Sequence, residues 1–393
     1  MSDTTTGTLD SETLDLFAAS VERYGQDKYG FDHYQAMLRS APGFGAQAWK
    51  DYADMGWLAA PQPLENGGFG SHPVAIAALM RYAGEHLALE PLFASVVLCG
   101  RLLALCGTHS GAQERLQALG TGRVLFALAH AEQLADGVEG EVATRYSDGV
   151  LNGRKLLVLH GDVADQLIVS VREPGSETSA QHSGPGAPLQ RLSLVAVDTT
   201  QTGVRKTAYK LLDGRGAASF VFDHAAATPI APSGLGGVLL AQALHEGRLA
   251  LCAEAHGAMR ALNRQTLAYL KERRQFGRPI GTNQVLQHRM VELFMLEREA
   301  AAVIGAAQRA IGQGDCARQR AVMGALAHVI GAGRQISHEA VQMHGGIGTT
   351  DELAVSHYFK RIMVVNRLLG DRDAHLDAFA RASRAQPISR CET

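Results

Sequence analysis

The spacing of apolar positions changes twice along the chain. From Leu9, Leu14, Leu16 and Phe17 it is helical, with Asp10 or Ser11 as a candidate N-cap. Trp49, Met55, Trp57 and Leu58 mark a helix ending near Gly56, and residues 60–70, APQPLENGGFG, read as a loop by their prolines and glycines. Residues 74–84 and 91–105 are nearly all apolar, which predicts buried helices. At about Val124 the pattern shifts to short runs rich in Val, Leu and Phe, at 124–130, 141–146, 150–159, 166–172, 191–198 and 217–223. Turn residues separate them, so they predict strands, with a hairpin turn at Ser147, Asp148 and Gly149. Residues 173–190 form a polar Gly/Pro/Ser loop, read as inserted or disordered. Prolines and glycines at 229–237 make a linker, and helical spacing then runs from Val238 to Leu270, about 50 Å of helix. Further helices are expected at 284–312, 316–343, 351–369 and 373–384. The expected fold class is α+β: a helical N-terminal domain (1–123), a middle β-barrel or sandwich domain (124–232), and a C-terminal four-helix bundle domain (233–393). Gly324, Gly331 and Gly333 are read as packing positions.

Composition narrows the function. The 393 residues allow two or three domains with ample cores. A net charge of −2 and a pI of about 6.8 point to neither nucleic acid nor an anionic membrane as partner. The five cysteines form no CxxC pair and the sixteen histidines no HExxH cluster, so no metal is expected. The N-terminus lacks a basic, then apolar, signal pattern, and no run is long and apolar enough to span a bilayer. A cytoplasmic protein is expected.

Two stretches carry candidate chemistry. Residues 273–288 read RRQFGRPIGTNQVLQH, where Gly277, Pro279 and Gly281 break a helix. Arg273, Arg274 and Arg278 bring guanidiniums that suit phosphate oxygens, and Phe276 adds a flat face. Alone, this is equally a solvated helix corner. Residues 342–348, QMHGGIG, offer the Gln342 amide and, at Gly345, Gly346 and Gly348, a backbone that a pyrophosphate can approach. A lone GGxG is most often a turn. Together the two stretches resemble the C-terminal domain of the acyl-CoA dehydrogenase family of flavoenzymes, and the match extends over about residues 51–371. Arg274, Gln275, Phe276 and Gly277 resemble the family's arginine-x-phenylalanine-glycine turn, and Gln342 to Gly348 its glutamine-x-x-glycine-glycine-x-glycine run. The 60–70 loop and the hairpin Leu151, Asn152, Gly153, Arg154, Lys155 also resemble family segments.

This resemblance implies FAD as cofactor and an acyl-CoA as substrate. A carboxylate removes the α proton while the β hydride passes to the flavin. The family's glutamate-glycine-threonine position is occupied by Leu369, Gly370 and Asp371, and leucine cannot take a proton. In a second branch the base directly precedes an arginine that Arg248 resembles, a substrate-site position, but Gly247 stands there. Glu246, one place back, is rotated by about 100° on a helix and is the fallback base. Where the family has alanine-leucine-threonine-glutamate-proline, this chain has Ala127, Leu128, Ala129, His130 and Ala131. Its glycine-serine-aspartate resembles Leu134, Ala135 and Asp136, and its lysine-threonine-tryptophan-isoleucine-threonine strand resembles Lys155, Leu156, Leu157, Val158 and Leu159.

The retained motifs are those that, in the family, cross a dimer interface to the adenosine diphosphate part of a neighbour's FAD. The lost ones contact a subunit's own isoalloxazine. The resemblance therefore implies a non-catalytic subunit that shares FAD with a homologous catalytic subunit in an α2β2 heterotetramer, with a downstream electron acceptor. Leucine-glycine-aspartate endings are similar to small subunits for pimeloyl-CoA and for steroid or bile-acid side chains. Two alternatives stay open: a homotetrameric enzyme with Glu246, His130 or His160 as base, and a flavin-free scaffold of the same fold.

Overall fold

A computed structural model of the chain describes residues 9–133, 141–173, 192–313, 315–368 and 372–385. The runs at 134–136 and 369–371, and the polar loop beyond Glu173, lie outside the described residues. Among those described, the chain opens with six α-helices: α1 (Ser11–Lys28), α2 (Phe31–Arg39), α3 (Ala46–Asp54), α4 (Pro73–Glu85), α5 (Arg101–Cys106) and α6 (Ala112–Gly120). Asp10 caps α1, its carboxylate accepting from the Thr13 N–H at 2.7 Å. The apolar run expected as one helix over 91–105 is two elements. Leu92–Gly100 winds as a wider π-helix with every residue buried, and α5 follows.

Eight strands come next: β1 (Phe126–Ala129), β2 (Arg145–Ser147), β3 (Val150–Leu159), β4 (Gln166–Val171), β5 (Ser193–Asp198), β6 (Val204–Lys210), β7 (Gly216–Ala226) and β8 (Thr228–Pro229). One sheet has the order β1-β4-β5-β8, with β1 and β4 parallel; the other, β2-β3-β7-β6, is antiparallel. Val169 and Val195 of the first sheet meet Val158, Phe220 and Phe222 of the second in a shared core. From its other face the first sheet gives Ile168, Leu194 and Ala196 to the helical core. The middle part is thus a β sandwich with one face against the helices, which is why β4 and β5 read as unbroken apolar runs. β6 escaped the apolar pattern because it is an edge strand carrying exposed Arg205, Lys206 and Lys210. Charged side chains there discourage pairing with other chains.

The chain closes with α7 (Gly236–Glu272), α8 (Gln284–Ala310), α9 (Asp315–His344), α10 (Ala354–Val365) and α11 (Arg372–Ala385). α7 crosses α4 at close range through Gly84 and Gly257, where a Cβ on either would strike the other helix's backbone, at the Glu254 or Arg81 carbonyl. Gly324 and Gly333 face side chains instead, Phe379 for one and Met259 with Ile362 for the other.

Four buried charges join the three parts. Arg361 of α10 places Nε 2.8 Å from Asp213 Oδ2 and Nη1 3.1 Å from Glu254 Oε1 of α7. Arg215, at the mouth of β7, reaches the same two oxygens at 2.7 and 3.1 Å. Arg361 Nη2 also donates to the Leu87 and Ala88 carbonyls at 3.3 and 3.0 Å, beyond the end of α4. Arg361→Met would strand Asp213 and Glu254 away from water with half their cationic partners. A loss of about 3–5 kcal/mol is expected in urea unfolding of the purified chain, against less than 1 kcal/mol if the cluster is incidental.

Candidate functional site

The arginine stretch is a hairpin rather than a broken helix corner. α7 ends where the Arg273 N–H donates to the Tyr269 carbonyl at 2.8 Å. Two short strands follow, β9 (Arg274–Gln275) and β10 (Arg278–Pro279), with Arg274 opposite Pro279 and Gln275 opposite Arg278. Phe276 and Gly277 therefore form a two-residue turn, with φ of 51° and 81°. A tight hairpin asks for positive φ at both central residues, which suits Gly277 and strains Phe276 by about 1–3 kcal/mol. Phe276 is 102% exposed, so its ring packs on nothing in its own chain. Arg278 donates to Asn283 Oδ1 at 3.1 Å, whereas the exposed Arg273 and Arg274 side chains make no ion pair among the described residues.

The glycine run begins where α9 stops. Gly345 has a φ of 68°, and Gly345 and Gly346 are exposed with open space where a Cβ would stand; Gly348 is buried against Val341. Gln342 is exposed on the last turn of α9. A contact between residues far apart in the sequence holds the two stretches together. Tyr269, one turn before Arg273, stacks on His344 with centroids 4.4 Å apart and donates its hydroxyl to the His344 carbonyl at 3.3 Å. The sole hint in the sequence is an aromatic residue just ahead of the first stretch and a histidine inside the second.

Arg248 and Glu246 are elsewhere on α7. Arg248 is buried, about 36 Å along the helix from its last residue, Glu272, at a rise of 1.5 Å per residue. Glu246 lines a small cleft between α4, the π-helix with α5, and α7. Its Oε2 lies 2.7 Å from Arg101 Nε, and its Oε1 accepts from Arg101 Nη2 at 2.9 Å and Gln242 Nε2 at 3.3 Å. Taking a proton would mean breaking this two-point pair.

On the sandwich, Ala129 offers no hydroxyl. Leu157 sits in a bulge between Lys155 and Val158 at a φ of 49°, its N–H donating to the Tyr209 hydroxyl at 3.2 Å. Lys155 points inward and donates to the His130 carbonyl (3.0 Å), Glu132 Oε1 (2.8 Å) and Ser170 Oγ (3.1 Å). The carboxylate partner of Lys155 is thus Glu132, not the position matched to His130. Burial pulls the Lys155 ammonium down to about 8. Burial opposes ionisation of Glu132, but Lys155 and the Thr144 hydrogen bonds outweigh it and hold the carboxyl below the usual range. His130 Nδ1 is 2.7 Å from Ser170 Oγ. His160 is held well below the usual imidazole range by burial and by Arg215, Arg361 and Lys210. Neither histidine lines the cleft.

Helices, a β sandwich and a helical bundle in this order, with an arginine hairpin beside a glycine run, are the architecture of acyl-CoA dehydrogenases. Residues 234–383 match the family model for the acyl-CoA dehydrogenase C-terminal domain, and the chain has the acyl-CoA dehydrogenase fold. It is 27% identical over 366 residues to the acyl-CoA dehydrogenase IpdE2 of Mycolicibacterium smegmatis, covering 92% of this chain and 95% of that protein. Its fold matches the ChsE4-ChsE5 complex from Mycobacterium tuberculosis with a TM-score of 0.81 at 22% identity, covering 97% of this chain and 100% of the other. It also matches a structure of PigA with FAD, with a TM-score of 0.81 at 20% identity, covering 95% and 98%. No helix among the described residues is long and apolar enough to cross a membrane, and no group of three or more metal-ligating side chains occurs among them.

Lys155→Met would remove what holds the Glu132 pKa down and leave a buried carboxyl with a raised one. In the wild type, Glu132 stabilises the fold above the unfolded carboxyl's pKa and loses this as pH falls through its own lower value. In the variant the sign reverses, because ionised Glu132 opposes folding. The stability deficit, about 3–5 kcal/mol at pH 8, should therefore shrink as pH falls toward 5. Urea unfolding across that range measures it; a deficit independent of pH would refute the pairing.

Proposed function

We infer that this chain is the non-catalytic subunit of a heteromeric acyl-CoA dehydrogenase, completing a FAD site that a homologous catalytic subunit holds. One observation carries the reading: Phe276 is held in a strained turn, wholly outside its own chain, beside Arg274, which makes no ion pair among the described residues, and past the end of a helix that puts Arg248 about 36 Å back from its last residue. A turn so placed reaches outward, to a neighbour's site.

The residues present fit one end of FAD and not the other. Arg274 brings a guanidinium fork free for phosphate oxygens, and Gly345 and Gly346 leave their backbone open to a pyrophosphate. The Phe276 ring supplies a flat cover. At the positions matched to the family's ring contacts, Leu157 offers neither a hydroxyl nor an aromatic face, and Ala129, which has no hydroxyl, is buried in the sandwich core. The chemistry that FAD supplies is acceptance of a hydride from the β carbon of an acyl-CoA thioester. The α proton goes to a carboxylate of the catalytic partner, since Glu246 is engaged by Arg101. α8 supports an α2β2 assembly: Val291, Phe294 and Met295 lie on one face of it, 58%, 51% and 55% exposed. The electrons so taken up would leave to a downstream acceptor.

Arg274→Ala should lower flavin affinity of the complex about ten- to a hundred-fold, the worth of one charge-assisted phosphate contact of roughly 1.5–3 kcal/mol. Unchanged flavin occupancy in the purified variant complex would make the hairpin merely structural. Glu246→Gln should leave acyl-CoA-dependent flavin reduction, followed by stopped flow, within a few-fold of wild type. The same change at the partner's base should cost about 10²–10⁴-fold or more. Loss of the fast phase in Glu246→Gln, with FAD bound and the assembly intact, would make this chain catalytic.

A further inference from the structure

The glycine run is fastened at both ends. At its head, His344 is held by Tyr269. At its tail, the N–H and the hydroxyl of Thr350 both donate to the Ile347 carbonyl, at 3.2 and 2.9 Å, so the run is tied to Asp351, the next residue. The Asp351 carbonyl accepts from two side chains far apart in the sequence. Gln35 Nε2 of α2 donates at 3.1 Å, and His357 Nε2 of α10 at 3.0 Å. The Asp351 carboxylate meets Lys360 Nζ at 2.5 Å, but with its own side chain 77% exposed that pair adds little.

These bonds fix the state of His357. A carbonyl only accepts, so the proton is on Nε2. Burial holds the imidazole below its usual range and favours the neutral ring, whose Nδ1 is then an acceptor. The Tyr34 hydroxyl of α2 lies 3.1 Å from that Nδ1, and its other acceptor, the Asp213 carbonyl, is farther away at 3.4 Å. With the phenol donating to Nδ1, the opposite tautomer is disfavoured and the Nε2–H stays aimed at Asp351. Phe31, also of α2, packs on the same ring with centroids 5.4 Å apart. Helix α2 thus gives Asp351 one donor directly and orients the other. We propose that α2 is a latch for the glycine run, with Tyr34, Gln35 and His357 as positioning residues that hold its open backbone where a pyrophosphate would meet it. The latch is a property of this chain alone; the pyrophosphate rests on the function proposed above.

The test has two arms. In the purified full chain, hydrogen exchange of the 345–353 amides is followed by mass spectrometry. His357→Gln keeps a donor close to the place of Nε2, whereas His357→Asn is too short to reach Asp351. His357→Asn should speed exchange there about two- to ten-fold and His357→Gln less than about two-fold, with the amides of α9 unchanged in both. Gln35→Met, at a half-exposed position that leaves the core intact, should speed it about two- to five-fold. In the purified heteromeric complex, His357→Asn should release flavin about two- to ten-fold faster. Equal acceleration by His357→Gln and His357→Asn, acceleration spread through α9, or wild-type exchange in both His357→Asn and Gln35→Met would each overturn the latch. Faster exchange with flavin release unchanged would overturn its positioning role, and if Arg274→Ala also leaves flavin in place, the failure is that of the proposed function and not of the latch.

Discussion

The structure depends on the four-charge knot of Arg361, Asp213, Arg215 and Glu254. Each side chain comes from a different place in the sequence or faces one that does. Taking four charges from water is unfavourable, and it becomes tolerable when each meets opposite charges at hydrogen-bond distance. That condition is met in one arrangement of helices, sandwich and bundle. The apolar cores could slide by a few tenths of an ångström at small cost; the knot cannot. It sets the relative positions of α7, α10 and the β6–β7 connection, and through α7 it sets where the hairpin projects.

Much of this was legible in the sequence where one physical rule acted alone. The amphipathic helices, the Asp148-Gly149 turn and the strands buried on both faces followed from period and turn chemistry. β6 was missed because an edge strand has no apolar face to announce it. The hairpin at Phe276 was missed because a two-residue turn of positive φ normally shows asparagine or aspartate before glycine, and here a phenylalanine stands there under strain. The Tyr269–His344 stack and the Lys155–Glu132 pair join residues far apart in the chain. Neither leaves a local signature, and only the folded backbone brings them within reach.

The long helix α7 separates two chemistries. Near its start lie Glu246, Arg248 and the cleft; at its end lie the exposed arginines. A single copy leaves these ends unrelated. Side chains that serve one centre must converge within a few ångströms, and helix geometry forbids that for positions so far apart on one straight element. The outer end ends in an exposed hairpin, the part that the proposed function assigns to a neighbour's site, while the inner end is closed by its own ion pair.

The exposed ring of Phe276 also bears on how a cell handles this protein. A copy without its partner displays that ring, and the apolar face of α8, to the surrounding solution. Surface of this kind is what chaperones hold and proteases remove. Assembly hides it. In the proposed heteromeric assembly an unmatched copy would therefore be marked by its own surface, with no dedicated sensor needed to tell surplus chain from assembled chain.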